Sequence, residues 1–377
     1  PLGAYLDIPG IIDLAKRRGV DAIHPGYGFL SENADFARAC ENSGIKFIGP
    51  PSHILAQMGD KLAAKATAIA CGVPIIPGST EPLKGADEAV EKAVSYGFPI
   101  ILKAAAGGGG RGMRRCDSEE EVRVNFELVK NEARKAFGNE DIFIEKFLVQ
   151  PKHIEVQILA DEHGNVMHLG ERDCSLQRRY QKVVEYAPAW SVPRATIEAL
   201  RADAVKIAKY VGYVNAGTVE FLVDQSTGQH YFIEMNPRIQ VEHTVTEMVT
   251  GVDLVRAQVL IAEGHPLSDE RIGLARQEDL HINGYAIQCR VTTEDPANNF
   301  APDTGKITAY RSGGGFGVRL DGGNAAAGTV ISPYYDSLLV KVTAWDNTFP
   351  GVCRRAARAI GEVHVRGVKT NIPFLSN

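Results

Sequence analysis

Residues 232–243 read FIEMNPRIQVEH, and every second residue from Glu234 to Glu242 is polar: Glu234, Asn236, Arg238, Gln240 and Glu242. Period two is the mark of a strand with one special face. Pro237 interrupts the run, and proline cannot donate to a sheet ladder, so no ordinary central strand runs through it. The segment predicts a strand ending at Asn236 and a loop carrying Arg238, Gln240 and Glu242 onward. Upstream, GTVEFLVD is joined to QHYFIEM by QSTG, a hairpin signature. Counting outward from that turn puts Glu220 and Glu234 close to opposite each other. Side-by-side carboxylates destabilise a sheet unless something positive lies between them. Mg²⁺ suits the place, since it takes a few carboxylate oxygens together with substrate phosphates. Asn236 can add a carbonyl oxygen. Phe221, Leu222, Phe232 and Ile233 mark both strands as buried, against a merely solvated acidic face.

The rest of the chain reads as α/β. Alternating helix and strand signals from 8 to 49 predict a parallel sheet, and helices follow over 51–72. A smaller unit has a helix near 85–96, the strand FPIILKAA, a glycine loop, the strand GMRRC, a helix over 118–137 and the strand DIFIEKF. Beyond it, HIEVQILAD and NVMHLGERD form a hairpin across EHGN, a helix spans about 193–212, and helices occupy about 243–263. The stretch from 284 is β-rich, with a helix near 348–361. The domain reading is 1–50, a remnant α/β unit; 51–75, a helical linker; 76–147, a lid; and 148–377, a large antiparallel unit.

At 44% hydrophobic and 23% charged the chain is globular, and a net charge of -5 argues against a nucleic-acid binder. No uncharged apolar run is long enough for a membrane helix, and no secretory leader is visible. The six cysteines lie far apart without a C-x-x-C pair, as expected of buried free thiols in a reducing compartment. A start at Pro1, with secondary structure almost at once, is expected of a piece of a longer chain.

KAAAGGGGRGM (103–113) matches G-x-G-x-x-G, yet a strand-like segment follows where a dinucleotide fingerprint needs a helix. Arg111 stands where a Walker loop needs Lys-Ser/Thr. The reading that fits is a lid whose backbone N–H groups close over phosphates, with Lys103 supplying charge. ERDCSLQRRYQKVVE adds Arg172, Arg178, Arg179 and Lys182, which an anionic substrate would put to use. The polar row then divides: Glu234 and Asn236 to metal, Arg238 to a planar anion, and Glu242 as a base. The histidines lack metal-ligand spacing, which disfavours zinc. His153, at a strand start, is the one placed to touch a nucleotide.

HPGYGFLSEN, MGDK, KAAAGGGGRGM, ERDCSLQRR, GTVEF, FIEMNPRIQVEHTVTE and SPYYDSLLVK, in that order, closely resemble the biotin carboxylase domain of biotin-dependent carboxylases. The resemblance runs from Pro1 to Asn377, and what it lacks is the family's opening βα stretch. Two blocks, VTTEDPANNFAPDTGKI and VRGVKTNIPFL, look most like the pyruvate carboxylase branch rather than the acetyl-CoA or propionyl-CoA branches. The resemblance implies an ATP-grasp fold, with ATP, Mg²⁺ (or Mn²⁺) and bicarbonate giving carboxyphosphate and then carboxylated biotin N1′. It places Lys61, Lys103, Gly109, Gly110, Glu145, Lys146, Leu148, His153 and Gln177 at ATP. Glu220, Glu234 and Asn236 fall at the metal, Glu220 and Glu234 touching ATP as well. Lys182, Arg238, Gln240 and Val241 line the bicarbonate pocket, Glu242 is the base, and Arg290 stabilises the biotin enolate. Tyr180 departs from the family's usual histidine, and tyrosine cannot be cationic at neutral pH.

None of the five methionines is followed by lysine, so this stretch carries no biotinylation site. The resemblance therefore implies a biotin carrier and a carboxyltransferase on a longer chain or a partner. It also implies a homo-oligomer (a tetramer in the pyruvate branch) and a cytoplasmic or, in a eukaryote, mitochondrial matrix setting. Two other readings stay open: an ATP-grasp ligase joining a carboxylate to an amine, which would need neither Arg290 nor RIQVEH, and a non-catalytic ATP-sensing domain.

Overall fold

The computed structural model describes residues 2–104, 112–137, 140–179, 181–323 and 325–377. Near the start, β1 (Ala22–Ile23) and β2 (Lys46–Phe47) pair in parallel. Helices Ile8–Arg18 and Ala34–Asn42 pack around Ile12, Phe36, Cys40 and Phe47. Asp7 and Asn33 cap these helices by accepting from Gly10 and Phe36 backbone N–H groups. Both strands are shorter than VDAIHP and IKFIGP predict, two residues each.

A three-stranded antiparallel sheet follows, with β3 (Ile100–Ala104) between β4 (Met113–Cys116) and β5 (Ile142–Lys146). Lys103 faces Met113 across the β3–β4 ladder, so the glycine-rich segment joins antiparallel strands and the dinucleotide pattern is excluded. Helices Ala86–Tyr96 and Glu119–Phe137 cover this sheet around Leu102, Phe126 and Ile144. The segment before it touches two sheets within four residues. Ile75 bridges to Phe232, and Gly78 bridges to Glu145.

The main body is an eight-stranded antiparallel sheet. Its strands are β6 (Lys152–Ala160), β7 (Val166–Arg178), β8 (Gln181–Ala187), β9 (Asn215–Val223), β10 (His230–Asn236), β11 (Tyr285–Thr292), β12 (Val318–Gly322) and β13 (Leu338–Asp346). Their spatial order is β10-β9-β6-β7-β8-β11-β13-β12. One face is apolar. Ile154, Val156, Val219, Phe221 and Phe232 pack there against Leu200, Ala204 and Ile207 of helix Arg194–Tyr210 and against Ile54 and Ala68. On the other face, polar residues stand in register from strand to strand. Glu234 faces Glu220, Glu220 faces Glu155, and Glu155 faces Arg172. Further along, Glu185 faces Gln288, Gln288 faces Thr343, and Thr343 faces Arg319. Helix His243–Thr250 lies against this face, its Thr246 accepting from Arg172 and its Thr244 donating to Gln288. The helices predicted over 243–263 are two, His243–Thr250 and Leu254–Ala262, separated where Gly251 takes a left-handed backbone (φ 73°).

Candidate active site

The turn count predicts Glu220 and Glu234 close to opposite; in the hairpin β9–β10 a bulge between Phe232 and Glu234 brings them directly opposite. Strand β10 ends at Asn236, one residue before Pro237. Glu220 is a hub. Its Oε1 accepts from Lys182 Nζ at 2.8 Å, Asn236 Nδ2 at 2.8 Å and Gln240 Nε2 at 3.1 Å, and its Oε2 lies 2.6 Å from His153 Nε2. Gln177 Nε2 sits 2.9 Å from the other nitrogen of that histidine.

Lys182 joins three carboxylates. Its Nζ reaches Glu155 at 2.5 Å, Glu220 at 2.8 Å and Glu242 at 2.8 Å. Glu242 also accepts from Arg290 Nη2 at 3.0 Å, and Arg290 Nε donates to Glu185 at 2.6 Å. Behind them Arg172, fully buried, binds Glu155, Gln157, Thr218, Thr246 and Gln240. Arg238 points elsewhere, with Nε 3.1 Å from Glu32 of the YGFLSEN segment and Nη2 3.4 Å from Asn236. The Val241 carbonyl accepts from Lys341 Nζ at 2.9 Å.

The electrostatics follow from burial opposed by charge. Burial alone would raise Glu220, but Lys182 and His153 hold it well below the ordinary carboxylate range. Glu242 is likewise raised by burial, yet Lys182, Arg290 and Arg172 pull it down to about 2. Burial lowers His153, and the bond to Glu220 more than reverses that, leaving it raised. Glu185 goes the other way. Burial and the nearby Glu242 charge outweigh Arg290 and push it up to about 7. Cys174 is pushed well above its usual value, first by burial and then by Glu155, so it stays a thiol at neutral pH.

On the three-stranded sheet, Lys103 and Lys65 both ion-pair with Glu145. Lys146 is turned away, its Nζ donating to the carbonyls of Gly97 at 2.8 Å and Phe98 at 2.9 Å. Leu148, just beyond β5, is half-buried. Gly109, Gly110 and Tyr180, and the side chain of Lys61, lie outside the described residues.

Glu155, Glu185 and Lys65 are members of these networks that motif reading did not single out. A signal for Glu155 exists in the sequence, since His153, Glu155 and Gln157 repeat the period-two polar pattern of the opening segment. Among the described residues, ligand atoms of His153, Glu155 and Glu220 lie within 4.8 Å of one another, as do those of Glu155, Cys174 and Glu242. The second group offers a protonated thiol and is the poorer cation site.

Three family models tile the chain: biotin carboxylase N-terminal domain at 1–55, carbamoyl-phosphate synthase L chain ATP binding domain at 60–270, and biotin carboxylase C-terminal domain at 288–377. The chain belongs to the biotin carboxylase family of ATP-grasp ligases. It is 59% identical over all 377 residues to mitochondrial pyruvate carboxylase of Rattus norvegicus and 56% identical to pyruvate carboxylase of Bacillus subtilis. It spans about a third of those relatives, 32% and 33% of their lengths. The biotin carboxylase domain of Hydrogenobacter thermophilus 2-oxoglutarate carboxylase, a dimer solved with MgADP, ADP and bicarbonate, superposes with a TM-score of 0.90 at 49% identity. That match covers 100% of this chain and 81% of the solved one.

Proposed function

We propose that this chain performs the biotin carboxylase half-reaction, with ATP, bicarbonate and carrier-bound biotin as substrates. The observation that carries the reading is the unbroken ionic file Glu220–Lys182–Glu242–Arg290, which runs from the paired carboxylates of β9 and β10 to an arginine on β11. Glu220 and Glu234 offer hard oxygens from adjacent strands and Asn236 a carbonyl, a donor set that fits Mg²⁺ or Mn²⁺. When bound, such a cation neutralises phosphate oxygens of ATP.

The chain's own groups do the rest. Lys61, Lys103 and the backbone at Gly109 and Gly110 hold phosphates, and Lys103 leaves Glu145 to do so. Glu145, Lys146, Leu148, His153, Gln177 and Tyr180 border the nucleotide. Bicarbonate sits among Lys182, Arg238, Gln240 and Val241. A carboxylate held at about 2 is ionised but a feeble base. Bicarbonate entering between Lys182 and Arg290 takes up their charge, and Glu242 becomes basic enough to accept its proton. A bicarbonate oxygen then bonds the γ-phosphorus as the bond to ADP breaks, giving carboxyphosphate. This splits to CO₂ and phosphate, the phosphate takes the biotin N1′ proton, and N1′ bonds CO₂ while Arg290 balances the enolate charge.

The division 1–50, 51–75, 76–147 and 148–377 goes with this reading, as does a lid role for 76–147. So do a carrier and a carboxyltransferase elsewhere, pyruvate as final acceptor, and a homo-oligomer. The setting is the cytoplasm in a bacterium or the mitochondrial matrix in a eukaryote. Among the described residues no helix is long and apolar enough to cross a membrane. The test is phosphate release from ATP by the purified protein with bicarbonate and free biotin. Release that depends on bicarbonate and rises with biotin is expected. Release that needs an amine acceptor instead overturns the reading.

A further inference from the structure

Glu185 lies outside the residues that the motifs assign, yet it is fully buried and directly behind Arg290. Its two oxygens have separate tasks. Oε1 accepts from Arg290 Nε at 2.6 Å, and Oε2 accepts from Gln288 Nε2 at 2.8 Å. Gln288, two residues before Arg290 on β11, uses its own Oε1 to accept from Thr244 Oγ1 at 2.5 Å. Thr244 lies 2.9 Å from Thr343 on β13 and stands two residues past Glu242, which accepts from the far side of Arg290. The contacts therefore close a ring: Glu242, Arg290, Glu185, Gln288, Thr244, and back to Glu242 through the backbone. Glu185, Gln288, Thr244 and Thr343 are all 0% exposed.

We propose that Glu185 is a positioning residue for biotin carboxylation, fixing the Arg290 guanidinium at the depth and angle that the acceptor step requires. A guanidinium on a flexible stem has many orientations, and a carboxylate on Nε with a second on Nη2 leaves it one plane. Burial removes water as an alternative partner, so the ring keeps its geometry only while each donor meets an acceptor. Arg238 has no such frame: its Nε partner Glu32 is 40% exposed at the side chain. Of the two arginines, Arg290 is the one built to stay still.

The inference rests on Arg290 serving the biotin step, and the experiment separates the two. Glu185→Gln leaves an acceptor for Arg290 but turns a donor toward Gln288, breaking the ring at constant volume. Misplacement of a reacting group by about 1 Å costs on the order of a hundredfold in rate. In the purified protein with free biotin, Glu185→Gln is expected to lower kcat for biotin-dependent phosphate release by roughly thirty- to a hundredfold, with KM for ATP within about twofold. The double variant Glu185→Gln with Gln288→Glu restores every donor–acceptor match and moves the charge one strand away. It is expected to recover kcat to within about threefold and the melting temperature with it. An unchanged kcat in the single variant overturns the proposal. So does a parallel fall in kcat and ATP affinity with a lowered melt, or a double variant that regains stability without turnover. If Arg290→Lys leaves biotin-dependent release unchanged, the reading of Arg290 itself fails. If Arg290→Lys abolishes it and Glu185→Gln does not lower it, only the positioning proposal fails.

Discussion

Lys182→Met takes away the ammonium shared by Glu155, Glu220 and Glu242. At 2.5 to 2.8 Å each contact is a gross attraction of about 6 kcal/mol at an effective dielectric near 20, most of it cancelled by desolvation. The three carboxylates keep other partners, namely Arg172, His153 and Arg290, so the loss is partial. Removing one member of a buried ion pair costs about 3–5 kcal/mol, and for a unit of this size each kcal/mol moves the melt by about 2–4 °C. Near neutral pH the variant should therefore melt about 6–20 °C below wild type. The sign with pH follows from the depressed carboxylates. Glu220 and Glu242 both sit below their unfolded value of 4.5, so their stabilisation is present above about 4.5 and is lost in acid as each is protonated, Glu242 at about 2. In the variant, burial is opposed by less positive charge and the same carboxylates move up, so acid relieves the repulsion. The gap to wild type should shrink near pH 5 when melts are followed by calorimetry at both pH values. A variant within about 2 °C of wild type near neutral pH, or a gap that widens in acid, would refute the reasoning.

Three further outcomes are expected. Glu234→Gln should raise the Mg²⁺ concentration for half-maximal ATP cleavage by about tenfold or more, read from metal titrations at fixed ATP. Arg238→Lys loses the planar fork that grips an anion bidentately and should raise KM for bicarbonate by about tenfold with a smaller change in KM for ATP, measured by steady-state phosphate release. At Gly217 an added Cβ would stand 2.3 Å from the Tyr213 hydroxyl oxygen, in a fully packed corner of β9. Gly217→Ala should then destabilise by about 1–3 kcal/mol in denaturant melts.

Much of this is legible in the sequence alone. A turn, a period of two and a count put Glu220 and Glu234 close to opposite, and the bulge after Phe232 completes the pairing. The end of β10 followed from Pro237. Glu185 and Glu155 were not legible in the same way. Each gains its meaning from a neighbour across the sheet: Arg290, at 105 residues' separation, has no local mark beside Glu185, and Arg172, at 17, faces Glu155 through a hairpin whose register is shifted by a bulge between Val156 and Ile158. The direction of the Lys146 side chain is a local matter. Its neighbour Glu145 turns to Lys65 and Lys103, while alternation along β5 sends Lys146 to the other face, onto the Gly97 and Phe98 carbonyls. Any nucleotide contact at Lys146 therefore falls to its backbone.

The double bridging of residues 75–78 has a mechanical meaning. Ile75 is laddered to Phe232, two residues before Glu234, and Gly78 to Glu145, the partner of Lys103. Three residues of extended chain reach about 10 Å, so the two sheets are tied by a leash of that length. A leash limits separation and leaves rotation free. Any displacement of the small sheet is bounded by it: Gly78, and Glu145 with it, stays within about 10 Å of Ile75, whose ladder partner Phe232 lies on the strand of Glu234. A Cβ on Gly78 would meet the Ile144 carbonyl oxygen at 2.7 Å, so the leash is held closest where it joins the small sheet.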